Sequence, residues 1–260
     1  MLSLLKYFLE EQEMNFDYID RVLELIKIVQ VEEKESMEKC VELLTKTILN
    51  KKSIYTFGAS HAGILSEEMY YRAGGLMMMN PIFGREIMLD TAPITVTSKM
   101  ERCVGYGTIL ASKVHFEEDD VLIIHSVSGR NPVSIEMAIA AKEKGVKIIG
   151  LTNLKYSKSV SSRHPSGKNL YEFCDIVLDN HGDVGDGCVS LEGLEQKVGP
   201  TSTVIGATIL NSIIAATAQN LIKKGMKNPP IFYSANIDGG DELNQKLYEE
   251  YKNSIHYKFK

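Results

Sequence analysis

The stretch "VLIIHSVSGRNPVSIEMAIAAKEKG", Val121 to Gly145, decides the fold. Four apolar residues and a histidine run into Ser126-Val127-Ser128-Gly129-Arg130-Asn131, and an amphipathic pattern begins at Pro132. A continuous apolar run of this length reads as a strand buried on both faces. Asn131 is a good N-cap and Pro132 fits the first helical position, where a missing N–H costs nothing. The segment therefore predicts strand, tight loop and helix over roughly 132–144. Backbone N–H groups, the positive end of a helix dipole and several hydroxyls converge on the loop, which suits phosphate. Gly129 allows a turn or a close approach to a ligand. A plain strand–turn–helix junction with a capping Asn explains the same residues, and the segment alone does not choose.

Working outward, the same texture recurs. "SIYTFG" (53–58), "VKIIGLTN" (146–153) and "CDIVLDN" (174–180) read as further strands, with shorter ones expected around Met77–Pro81 and Ile94–Thr97. Helical patterns follow in "HAGILSEEMYYRAGG", "YSKSVSSRH" and the long apolar "TSTVIGATILNSIIAATAQNLIKKG" (201–225), which reads as buried. Apolar strands alternating with helices across short Gly/Ser/Asn turns predict an α/β fold, a parallel sheet with helices on both faces. In such sheets ligands bind beyond the carboxyl ends of the strands. That brings together Gly58–His61, Ser126–Asn131 and Thr152-Asn153. In "FGASHAG" (57–63) Ser60 is placed as a cap or a ligand contact, without a GxGxxG dinucleotide fingerprint. Thr201-Ser202-Thr203 puts a third hydroxyl cluster at the start of the long helix.

Residues 1–50 read as N-terminal helices, with "YIDRVLELIKIV" and "SMEKCVELLTKTILN" carrying apolar faces and Asn50 as a stop. They are expected to pack on the main domain or on a partner subunit. Residues 226–260 form a C-terminal loop and helix, with Asp238 or Asp241 as cap. The net charge of −5 and the lack of a long Lys/Arg run argue against nucleic acid as a partner. Acids interrupt the apolar N-terminus every few positions, so neither a membrane span nor a signal peptide is expected. Four scattered cysteines without a CxxC pair read as reduced thiols, hence a cytoplasmic location. The eleven methionines, including "LMMMN", read as core.

"TFGASHAG", "IIHSVSGRNPVSIEMA" and "VGPTSTVIGATILNSI" together resemble the sugar-isomerase (SIS) domain family, over about residues 35–225. Within it the chain is similar to a bacterial subgroup related to phosphoheptose isomerase. The resemblance implies a five-stranded parallel sheet in a three-layer, flavodoxin-like sandwich, and a homodimer or homotetramer with sites at subunit interfaces. It also implies a phosphorylated sugar as ligand. Ser60, Ser126, Ser128, Gly129 and Asn131 match the family's phosphosugar contacts, and Ser202 and Thr203 match its third loop. Two departures stand out. The His and Glu that heptose-phosphate isomerases carry after the first loop correspond to Glu68 and Arg72. Val204 stands where amino-sugar members have a lysine.

Moving a proton between adjacent carbons of a sugar phosphate needs a base. Glu67 and Glu68 lie two turns into the helix after the first loop, about 100° apart around it, so one of them faces the site. The family comparison favours Glu68. His61, beside Ser60, is placed to donate to sugar oxygens, and His125 to support the serine loop from beneath. No cofactor is called for. His181, Asp183 and Asp186 are too loosely spaced to make a metal site the better reading, and the acidic, glycine-rich stretch 179–199 reads as a mobile lid. The preferred function is sugar-phosphate isomerisation. The alternatives are a non-catalytic phosphosugar sensor and an amino-sugar phosphate lyase or deaminase. Residues 1–50 are expected to be too short for a DNA-binding domain as well as a leading helix.

Overall fold

Strands alternate their side chains between two faces, and here both faces are apolar. The computed structural model describes residues 15–259. Ile54, Val121, Ile123, Ile149 and Leu151 point into one core, while Tyr55, Phe57, Leu122, Ile124 and Ile148 point into another. A sheet covered on both sides follows directly.

Two helices open the described chain, α1 (Asp17–Glu32) and α2 (Lys34–Leu49). The central sheet comprises β1 (Ile54–Gly58), β2 (Met79–Ile82), β3 (Val121–His125), β4 (Lys147–Thr152) and β5 (Ile176–Asp179). All four pairings are parallel, in the order β2-β1-β3-β4-β5. Helices α3 (Ile64–Met69) and α8 (Ser202–Lys223) join α1 and α2 on one face; α5 (Tyr106–Ala111) and α6 (Pro132–Lys142) cover the other. The molecule is the expected three-layer α/β sandwich. Met69, Met77, Met78 and Met79 fill the first core, where an unbranched, polarizable side chain adapts to irregular gaps.

Several segments differ from their sequence reading. Residues 94–97 are not a strand. Pro93 precedes them, its carbonyl accepts the Val96 N–H, and the chain enters helix α4 (Thr95–Glu101). The helix after β1 is short: a 3₁₀ turn, Ser60–Gly63, precedes α3, which stops at Met69 one residue before Tyr70 returns to extended backbone. After β4 the helix is a short one, α7 (Leu154–Ser159), started by the Asn153 side chain accepting the Tyr156 N–H. The stretch 179–199 is largely an antiparallel hairpin, β6 (Gly187–Leu191) and β7 (Leu194–Pro200). Gly193, at φ +78°, takes the turn. Arg21 and Lys197 both hold Asp183, and the Tyr18 hydroxyl donates to the Pro200 carbonyl, so the hairpin is pinned to α1. At α9 (Gly240–Tyr251) the cap is Gly239 at φ +79°, with neither Asp238 nor Asp241 capping. The part of the N-terminal helical reading that covers residues 1–14 lies outside the described residues.

Among the described residues, α8 alone is long and apolar enough to cross a membrane by length and composition. Ile205, Ile209, Leu210, Ile213 and Leu221 bury one side of it in the first core. Thr208, Asn211 and Ser212 lie on the other.

Candidate functional site

The strand order reverses its direction of growth between β1 and β3, and the crevice beyond their carboxyl ends is where such folds bind ligands. Register makes the crevice concrete: Gly58 of β1 stands opposite His125 of β3. The loops carrying Ser60 and Ser126–Asn131 therefore leave the sheet side by side.

Gly58 is required there. A Cβ at that position would lie 2.3 Å from the Ala62 carbonyl oxygen and 2.8 Å from the Gly63 nitrogen, backbone atoms that cannot swing away. The 3₁₀ turn thus folds tightly back over the strand end. Ser60 sits in it at φ +54°, a conformation that costs a non-glycine residue energy and is characteristic of ligand-holding turns. Ser60 and Glu67 line one cavity of about 380 Å³, together with Gly58, Ile64, Phe83 and Asp90. That volume suits a small polar ligand.

The second loop is held from behind. Ser126 N–H donates to Leu151, Asn153 N–H and the Thr152 hydroxyl donate to Val127, and Leu170 N–H donates to Gly129. Gly129 adopts φ +60°, and a Cβ on it would meet the buried Ser157 hydroxyl at 2.9 Å. The carbonyls are consumed by this bracing. Among the described residues, no hydrogen bond within the chain engages the hydroxyls of Ser126 and Ser128 or the amides of Val127–Asn131. Asn131 occupies the N-cap of α6, but its side chain does not cap. Its amide donates to Glu101 and its carbonyl accepts from Arg163. The first-turn amides of α6 are left without a side-chain partner.

Beneath the two loops His125 is buried, and burial pushes its pKa down to about 4. Its Nδ1 lies 3.1 Å from the Ala62 carbonyl. A carbonyl only accepts, so Nδ1 carries the proton and the ring locks the 3₁₀ turn onto β3.

The third cluster is differently employed. Asp186, at the head of the hairpin, accepts the Thr201 and Ser202 N–H groups at 3.2 and 2.8 Å and the Ser202 hydroxyl at 2.6 Å. A carboxylate of the chain thus sits at the N-terminus of α8. Its charge raises the His125 pKa, against the larger lowering effect of burial. Among the described residues, the Thr203 hydroxyl makes no hydrogen bond within the chain.

Of the two adjacent acids, Glu67 is the one that turns into the cavity beside Ser60. Glu68, favoured from sequence, is bound instead by Arg72 and by Asn211 of α8, the latter at 3.1 Å. The chain leaves α3 at Met69 and turns at Tyr71, at φ +45°, which brings Arg72 back onto Glu68. His61 is exposed and outside the cavity lining. His181, Asp183 and Asp186 do not converge; they are held by Glu33, by Arg21 with Lys197, and by the start of α8 respectively. Phe83 and Asp90 join the site from the segment after β2, where no sequence motif marks them.

A family model described as the SIS domain matches residues 17–153, from α1 through the second loop to the end of β4. UPF0309 protein ABC0887 of Shouchella clausii is 51% identical over 240 residues, covering 92% of this chain and 97% of that protein. UPF0309 protein OB3413 of Oceanobacillus iheyensis is 46% identical over 241 residues, with 93% and 98% covered. A phosphoheptose isomerase structure from Francisella tularensis overlays with a TM-score of 0.48 at 14% identity, covering 79% of this chain and 100% of that one. By the domain match and by these relatives, the chain belongs to the SIS-domain family, in its UPF0309 group.

Proposed function

We infer that the protein binds a phosphorylated sugar at the β1/β3 crevice and isomerises it, in the cytoplasm and without a cofactor. The observation that carries this reading is the second loop: free amides and two free hydroxyls at the N-terminus of α6, one strand from Ser60. In this reading Ser126, Ser128, Gly129 and Asn131 hold the phosphate, and Ser60 contacts the sugar. Ser202 and Thr203 close the far side together with Asp186. Glu67 carries the proton between adjacent carbons, while Glu68 and His61 stand outside the cavity. Four cysteines without a disulfide accord with a reducing compartment. Binding without turnover is the second reading, favoured by the engagement of Glu68 with Arg72 and Asn211.

Calorimetry tests the phosphate subsite. A hexose 6-phosphate is expected to bind far more tightly than the free hexose. Ser128→Ala removes one hydrogen bond to a charged group, roughly 1.5–3 kcal/mol, so its affinity should fall about tenfold or more. Equal binding of sugar and sugar phosphate overturns the reading.

Self-association belongs to the same proposal. Phe16, Ile19 and Leu23 form an exposed apolar stripe along α1, each more than half accessible. Beside it a cavity of about 730 Å³ opens between α1, α2 and α8, lined by Ile26, Met37, Val41 and Ile213. A second copy of the chain is the partner this face fits, and the loop at 234–241 would then reach toward a neighbouring site. Light scattering at micromolar concentration is expected to give a dimer or tetramer; a monomer that still binds phosphosugar removes the cross-subunit role.

A further inference from the structure

The chain has six arginines. Arg21, Arg72 and Arg85 each pair with a carboxylate within 4.0 Å. Among the described residues the other three have no such partner, and all three gather on the outer side of the serine loop.

Arg130 belongs to the loop itself. The Arg163 N–H donates to the Arg130 carbonyl at 2.8 Å, and Arg130 Nε donates to the Ser161 carbonyl at 3.0 Å. Arg163 Nη1 donates to Asn131 Oδ1 at 2.8 Å, and Asn131 Nδ2 donates in turn to Glu101 at 2.7 Å. Arg102 follows Glu101 at the end of α4. A chain of hydrogen bonds thus ties Arg130 and Arg163 to one patch with Glu101, neutral acceptors orient both, and Arg102 stands beside Glu101 at the end of α4. Burial, then the charges of Arg130 and Arg102, push Arg163 below its ordinary value; Tyr156 and Glu101 act the other way.

Three arginines share the single carboxylate of Glu101 in this patch, which leaves a net positive charge that an added anion would neutralise. The planar fork of arginine matches carboxylate and phosphate with paired hydrogen bonds. The serine loop already presents two hydroxyls and a run of free amides, a sufficient donor set for one phosphate. The Arg130 and Arg163 side chains donate instead to the Ser161 carbonyl and the Asn131 side chain, so neither engages the serine hydroxyls.

We propose that Arg102, Arg130 and Arg163 form a second anion subsite, so that the ligand is a doubly acidic sugar phosphate carrying a carboxylate or a second phosphate. This rests on the reading of the serine loop as a phosphate site. It narrows the substrate class from sugar phosphates in general to those with a further negative group.

Calorimetry with glucose 6-phosphate, glucose 1,6-bisphosphate and 6-phosphogluconate tests it, the last two separating phosphate from carboxylate at the second position. At least one doubly acidic sugar is expected to bind about tenfold or more tightly than the monophosphate. Arg163→Gln and Arg102→Gln should both abolish that advantage, and Arg102→Gln should leave monophosphate affinity within about twofold. Among the described residues the Arg102 side chain makes no hydrogen bond, so its variant reports on charge with the fold intact, checked by an unchanged melting temperature. Equal affinity for all three sugars overturns the proposal. So does an equal loss for mono- and doubly acidic sugars in Arg102→Gln, which would assign the arginines to the loop's own phosphate. If none of the sugars binds and Ser128→Ala changes nothing, the serine-loop reading itself has failed.

Discussion

Glu67→Gln is expected to lower kcat by about 10²–10⁴ on the sugar phosphate that the protein turns over, with affinity near wild type. The substitution keeps size and hydrogen-bonding capacity but removes the base. Glu67 is exposed and lines the cavity that also holds Ser60, where a sugar carbon would stand next to it. Glu68 has a different life: its Oε1 accepts from both Arg72 and Asn211, which fixes it against α8. Glu68→Gln should therefore act through packing of α3 on α8 and cost far less in kcat. Exchange of the substrate's C2 hydrogen with deuterated water, followed by NMR, gives the cleanest readout, since it reports proton abstraction directly. A Glu67→Gln protein that exchanges at the wild-type rate overturns the assignment, and a large loss confined to Glu68→Gln transfers the role.

The choice between these two acids shows where sequence stops being informative. Adjacent helical positions differ by about 100° in direction, but which one faces a cavity depends on the phase of the helix, and α3 begins only after an irregular 3₁₀ turn. The sheet was far more legible. Val121–His125 and Ile148–Thr152 are buried on both faces because helices cover both, and runs this short between turn residues favour strands. The serine loop was legible for a related reason: Asn131-Pro132 marks a helix start regardless of context. What was missed depends on long-range partners. Asp186 reads as one acid among several in a flexible stretch, yet it caps α8 through a hairpin whose strands, Gly187–Leu191 and Leu194–Pro200, are mostly exposed and so lack a strong apolar alternation. Arg102, Arg130 and Arg163 are scattered over 62 positions of sequence, and the fold alone brings them together. Ile94–Thr97 carries β-branched residues that favour a strand locally, but Pro93 sets a helical turn and the Thr97 hydroxyl donates back to Ile94.

The second large effect is on stability against acid. His125 is buried with its pKa depressed from 6.5 to about 4, so the folded chain resists taking up the proton that the unfolded chain accepts near neutrality. The stabilisation of the neutral ring is fully present above pH 6.5 and is lost as pH falls from 6.5 toward 4. A depression of this size corresponds to a loss on the order of 3 kcal/mol across that window. His256, also depressed by desolvation of its ring, adds to the loss in the same sense, while Asp120, raised by burial, opposes it at the acid end. His125→Asn isolates the ring: the Asn amide still donates toward the Ala62 carbonyl, and nothing at the position titrates. Urea unfolding at pH 7 and pH 4.5 is the measurement. The wild type is expected to lose most of that stability between the two, and the variant to lose markedly less, whatever constant cost the substitution carries. Equal losses in both proteins would show that the ring is not what the acid attacks. The same ring holds the Ser60 turn against β3, so phosphosugar affinity should fall with pH in parallel with stability, and in His125→Asn it should persist to lower pH.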